Sequence, residues 1–120
     1  MESISINEKQ INVELALYLF MEDKLYIAYS PSFDLSAAGK TADEALNEFN
    51  KIFKLHIEYC LENKTLFADL KKYGWILDKT KAKAPNVLQL LDKNNTFKDI
   101  ISNKKNYQRI THPAHIQIQA

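Results

Sequence analysis

The sequence predicts an α+β fold, in which an antiparallel sheet with a β-β-β-α-β core carries one long helix on one face and a C-terminal helical extension ends in an edge strand. Three observations predict it. Residues 10–21 alternate with period two, placing Ile11, Val13, Leu15, Leu17, Leu19 and Met21 on one face and Asn12, Glu14, Ala16, Tyr18 and Phe20 on the other. Thr41-Ala42-Asp43-Glu44 opens a segment in which Ala45, Leu46, Phe49, Phe53, Ile57 and Cys60 or Leu61 recur at steps of three and four. The tail alternates again, with His115, Gln117 and Gln119 opposite Ile116 and Ile118.

Ile4 and Ile6 leave room for a short opening strand. In the strand over 10–21 the second face turns apolar from Ala16, so its end should be covered on both sides, a neighbouring subunit being one candidate cover. Glu22-Asp23-Lys24 forms a turn, Leu25 to Tyr29 returns antiparallel, and Pro31 ends that strand because it lacks the ladder donor. A short apolar segment ends at Gly39. The Thr41 hydroxyl is placed to accept from the Glu44 N–H while the Glu44 carboxylate reaches back, and Asp43 and Glu44 suit the positive end of the helix dipole.

Thr65 is the expected cap of a shorter helix carrying Leu66, Phe67 and Leu70, closed by Gly74 in the left-handed conformation. Trp75-Ile76-Leu77 reads as a strand, and residues 78–86, with Pro85, as a linker. Val87 to Leu91 and Phe97 to Ile101 form two short helical pieces, Thr96 capping the latter. These elements divide into a core over residues 1–78 and a basic extension over 79–120 packed on the same domain.

The chain of 120 residues is 46% hydrophobic and 26% charged with 2 Gly and 3 Pro, so it can bury a core without staples. A single cysteine, Cys60, excludes an internal disulfide, and MESISINEKQ lacks the basic start and apolar run of an export signal, so a cytoplasmic location is expected. Glu22 and Asp23 interrupt the longest apolar run, leaving no membrane span. The net charge of +1 is unevenly spread. Residues 1–78 hold eight basic and thirteen acidic side chains, a net of −5; residues 79–120 hold eight and two, a net of +6. The basic part, with Lys79, Lys81, Lys83, Lys104, Lys105 and Arg109, is either a solvated surface or a site for a phosphate backbone, so DNA binding stays open.

The hairpin, the Tyr29-Ser30-Pro31 to Leu35 loop, the Gly39-Lys40-Thr41 approach, the Thr41-Ala42-Asp43-Glu44-Ala45 helix start and Gly74-Trp75 together resemble the N-terminal module of HicB-like antitoxins, over residues 10–78. That family has a partial ribonuclease-H-like fold. The resemblance implies a non-enzymatic protein that neutralises a small basic ribonuclease toxin by covering it. Tyr29, Phe33, Asp34 and Leu35 would then face the partner, and Glu22 and Asp23 would meet its basic surface. Many such antitoxins add a DNA-binding module, which residues 86–120 do not match: the turn between the two helical pieces lacks the glycine common in helix-turn-helix. A homo-oligomer pairing through its exposed sheet face is the other reading.

Catalytic patterns are weak. His56 and Cys60, four apart on one helix, offer two metal ligands, but a site needs a third, and His112 and His115 have no recognised ligand spacing; a core cysteine beside a partly exposed histidine is expected, with no cofactor. Cys60 lies near a helix C-terminus, where the dipole opposes a thiolate. Glu14, Asp34, Glu44, Glu48 and Asp69 do not fall at adjacent strand positions, as two-metal nuclease chemistry requires. Gly39 and Gly74 are the only glycines, so no phosphate-cradling loop exists. Tyr18, Phe20, Tyr26, Tyr29 and Phe33 concentrate on the hairpin and loop, marking either an interface or a covered sheet.

Overall fold

The computed structural model describes residues 2–7, 10–78, 81–103 and 106–117. Its chain order is β1 (Ser3–Ile6), β2 (Gln10–Glu22), β3 (Leu25–Ser30), β4 (Leu35–Gly39), α1 (Ala42–Glu62), α2 (Leu66–Lys72), β5 (Ile76–Asp78), β6 (Lys81–Lys83), α3 (Val87–Lys93), α4 (Asn95–Asn103) and β7 (Gln108–Gln117). The fold is α+β, the described residues forming one antiparallel sheet and four helices. Among the described residues no helix is long and apolar enough to cross a membrane.

The long strand β2 organises the sheet. A strand has two hydrogen-bonding edges, and Ile11 pairs with both Ile6 and Ile116 while Tyr18 pairs with both Tyr29 and Arg109. So β1 and β3 lie end to end along one edge of β2, and β7 runs along the other. The sheet therefore forks into a β3–β4 wing and a β1–β6–β5 wing.

Each face of β2 carries a different cover. Ile11, Val13, Leu15, Leu17 and Leu19 pack with Phe49, Phe53 and Ile57 of α1, as the alternation predicts. Met21, expected on the same face, lies past the cover and is exposed. Ala16, Tyr18 and Phe20 pack on the opposite face against Leu90, Phe97 and Ile100. The cover there is α3 and α4 of the same chain, not a neighbouring subunit. Tyr18 meets the Phe97 ring edge-on at 4.9 Å between centroids.

Local chemistry sets the element ends. Thr41 Oγ1 accepts the Glu44 N–H at 3.0 Å. The reciprocal box predicted there forms instead at α3, where Asn86 and Gln89 exchange both bonds. Helix α1 closes in a Schellman motif, Thr65 N–H to Cys60 O and Lys64 N–H to Leu61 O, with Lys64 at φ +58°. Gly74 closes α2 in the same way at φ +88°, as expected. At Gly39 an added Cβ would stand 2.4 Å from the Ala45 nitrogen, so only glycine lets β4 turn this closely into α1.

Three expectations are corrected. Thr65 makes no side-chain cap bond; its hydroxyl turns to the Cys60 carbonyl. The cap of α4 is Asn94, not Thr96: Asn94 Oδ1 accepts the Phe97 N–H at 3.0 Å. Within the supposed linker, β6 pairs with β1 and β5, and Ala82 is buried. A lone alanine between lysines is too short a pattern to show a period.

Candidate functional site: an acidic groove

The β2–β3 hairpin tip and α4 bound a groove of about 560 Å³. Its apolar lining is Phe20, Leu25, Ile27 and Ile100, and four carboxylates, Glu22, Asp23, Asp34 and Asp99, stand around it. Backbone conformation places two of the acids: Asp23 and Lys24 adopt φ +51° and +69°, the paired positive values of a tight two-residue hairpin turn, and Asp34 has φ +53°. Of the four, Asp99 also accepts from Asn103 Nδ2 within α4.

Tyr29 forms part of the wall. Its hydroxyl donates to Asp34 Oδ1 at 2.6 Å and accepts from Asn94 Nδ2 at 2.8 Å, tying β3 to the start of α4. Burial, then the bond to Asp34, push the phenol far above its ordinary range, so it stays a neutral donor.

The residues expected to face a partner thus divide. Glu22, Asp23 and Asp34 are exposed and converge on the groove. Tyr29, 3% exposed, contributes its hydroxyl as a fixed strut. Phe33 is fully buried on the other side of the sheet, its ring against Phe53, Tyr73 and Trp75, and Leu35 packs against the same core. Phe33 and Leu35 therefore serve the interior. An aromatic next to a proline looks alike in sequence whether it turns in or out. Asp99 was missed because it lies some 65 residues of chain beyond Asp34 on α4, and only the fold brings them together.

The basic candidates also divide. Lys79, Lys104 and Lys105 lie outside the described residues. Lys81 and Lys83 flank buried Ala82, so both point away from α1. Arg109 sits opposite Tyr18, on that same sheet face. The face is mixed in charge, because Lys83 shares a row with Ser3 and Glu14, and Lys81 one with Asp78. A second cleft, about 400 Å³, is lined by Lys71, Lys72 and Lys93 together with Tyr73 and Asn94.

The histidines of the tail find amide partners, His112 Nε2 with Asn50 Oδ1 at 2.7 Å and His115 Nδ1 with Asn12 Oδ1 at 2.6 Å. Burial lowers the His112 pKa. No protein-family model, curated protein or solved structure matches this chain.

Proposed function

We propose that this chain is a non-enzymatic binding module of HicB-like antitoxin type, which neutralises a small basic ribonuclease toxin by seating a cationic segment in the acidic groove. The observation that carries this reading is four carboxylates gathered around an apolar floor. Complementary charge steers a basic partner to such a surface, and the apolar floor supplies the area that holds it. The stretch β2, β3, β4, α1 runs in the β-β-β-α order that the resemblance implies for the start of its core, which supports the reading.

Co-expression with whichever small basic protein is encoded beside this chain tests it. Growth should be rescued and a complex should purify, with affinity falling as salt rises. Asp23→Lys together with Asp99→Lys should abolish both while the fold survives, since neither side chain is in the core. A neighbouring gene without a basic product, or rescue unaffected by the charge reversals, sinks the reading.

A further inference from the structure

On the α1 side of the sheet, away from the groove, three potential metal ligands meet. His56 and Cys60 are four residues apart on α1 and so lie on one face. The Schellman turn at Lys64 brings the chain back, and Asp69 of α2 closes on them: His56 Nε2 lies 2.8 Å from Asp69 Oδ2 and 3.8 Å from Cys60 Sγ, and all three ligand atoms fall within 4.8 Å of one another. We propose that His56, Cys60 and Asp69 bind a single Zn²⁺ or similar borderline divalent transition-metal ion, leaving a fourth position for water.

The geometry carries this. Tetrahedral zinc, with bonds of about 2.0 Å to nitrogen and oxygen and 2.3 Å to sulfur, sets its ligand atoms roughly 3.3–3.6 Å apart. The nitrogen–sulfur distance is already near that value. The nitrogen–oxygen pair needs to open by about half an ångström, a side-chain adjustment that exchanges one hydrogen bond for two coordinate bonds. Imidazole, thiolate and carboxylate form a donor set suited to zinc, and the two anions neutralise a divalent charge. Cys60 is buried whereas the His56 and Asp69 side chains are 23% and 19% exposed, so the ion would have a dry sulfur side and a solvent side by which to enter. Phe33, whose ring meets the imidazole edge-on at 6.0 Å, steadies His56 from the core.

Because the metal binds the thiolate, binding displaces the Cys60 proton, and affinity must fall as pH falls.

The test is titration of the reduced, untagged chain with Co²⁺ and then Zn²⁺. One equivalent of Co²⁺ should release a proton and produce a thiolate-to-metal charge-transfer band, attributable to Cys60 because the chain has no other cysteine, and Zn²⁺ should then abolish the band with no further proton release. Cys60→Ser should lose the band, and Asp69→Asn should weaken Zn²⁺ binding at least about tenfold. Should Asp69→Asn fail to fold, wild-type affinity compared at about pH 7.5 and 5.5 takes its place and should be lower at the acid value. Absence of the band in the wild type, equal Zn²⁺ affinity in Cys60→Ser, or affinity independent of pH would overturn the proposal.

Discussion

The Glu2 carboxylate accepts the backbone N–H of Ala16 at 2.7 Å, in the gap where the edge of β2 passes from β1 to β3. Ladder pairing with β1 ends at Glu14 and that with β3 begins at Tyr18, so the intervening N–H would otherwise be buried without a strand partner. The same Oε1 accepts from Ser32 Oγ at 3.0 Å, and the Ser32 carbonyl accepts Trp75 Nε1–H at 2.9 Å. One acidic side chain thus splices the two wings of the sheet.

This splice makes stability depend on pH. Burial raises the Glu2 pKa above 4.5, outweighing the Ala16 and Ser32 bonds and the Arg109 charge, so folding favours the protonated acid relative to the unfolded chain. The resulting stabilisation is complete below about 4.5 and is lost as pH rises through the folded value. Glu2→Gln, which retains an acceptor, should remove this component from urea-unfolding profiles taken across pH 4 to 8. Glu2→Ala should cost about 1–3 kcal/mol by leaving the Ala16 donor unsatisfied. Identical pH profiles for wild type and Glu2→Gln would refute the assignment.

Asn94 serves two structures at once, capping α4 through Oδ1 and bonding the Tyr29 hydroxyl through Nδ2. Asn94→Ala should destabilise by about 2 kcal/mol, the sum of a lost cap and a lost hydrogen bond. Tyr29→Phe should cost roughly 1–2 kcal/mol, and the double mutant less than the two combined. Strict additivity in that cycle would show that the contact does not couple the helix to the sheet.

At Lys64 the left-handed backbone is held by a residue with a Cβ. Lys64→Gly should relieve roughly 1–2 kcal/mol of strain against an entropic penalty of about 0.5–1 kcal/mol in the unfolded chain. Calorimetry should record a melting temperature a few degrees higher, and a fall would contradict the strain argument.

Gly39→Ala should act in the opposite sense. Its new methyl would collide with backbone at the Ala45 nitrogen, which cannot rotate aside, and the cost should reach about 1–3 kcal/mol. Unchanged urea resistance would mean that β4 and α1 can separate freely.

How much could be read from the chain depends on the range of each interaction. The β2 alternation and the α1 stripe repeat over many residues, so Leu15, Leu17, Phe49 and Phe53 declare their faces unaided. Caps are decided by one bond: Asn94 and Thr96 both fit the start of α4, and only the partner at Phe97 separates them. Sites assembled from distant segments left no local mark. Asp69 joins His56 across a helix break, and Asp99 joins Asp23 across the whole of α1 to α3. Phe33 stands in a loop that the resemblance turns toward a partner, whereas packing decides its place and puts its ring in the core.

The pairing of β7 with β2 bears on how the protein is made. Gln10 meets Gln117 and Leu19 meets Gln108, so these contacts close loops spanning most of the polypeptide. During translation the middle strand must wait for β7 to leave the ribosome, with one row of amides and carbonyls bare in the meantime. A nascent chain stalled before Gln108 would expose that edge as a template for its neighbours, making incomplete products the form most prone to aggregate.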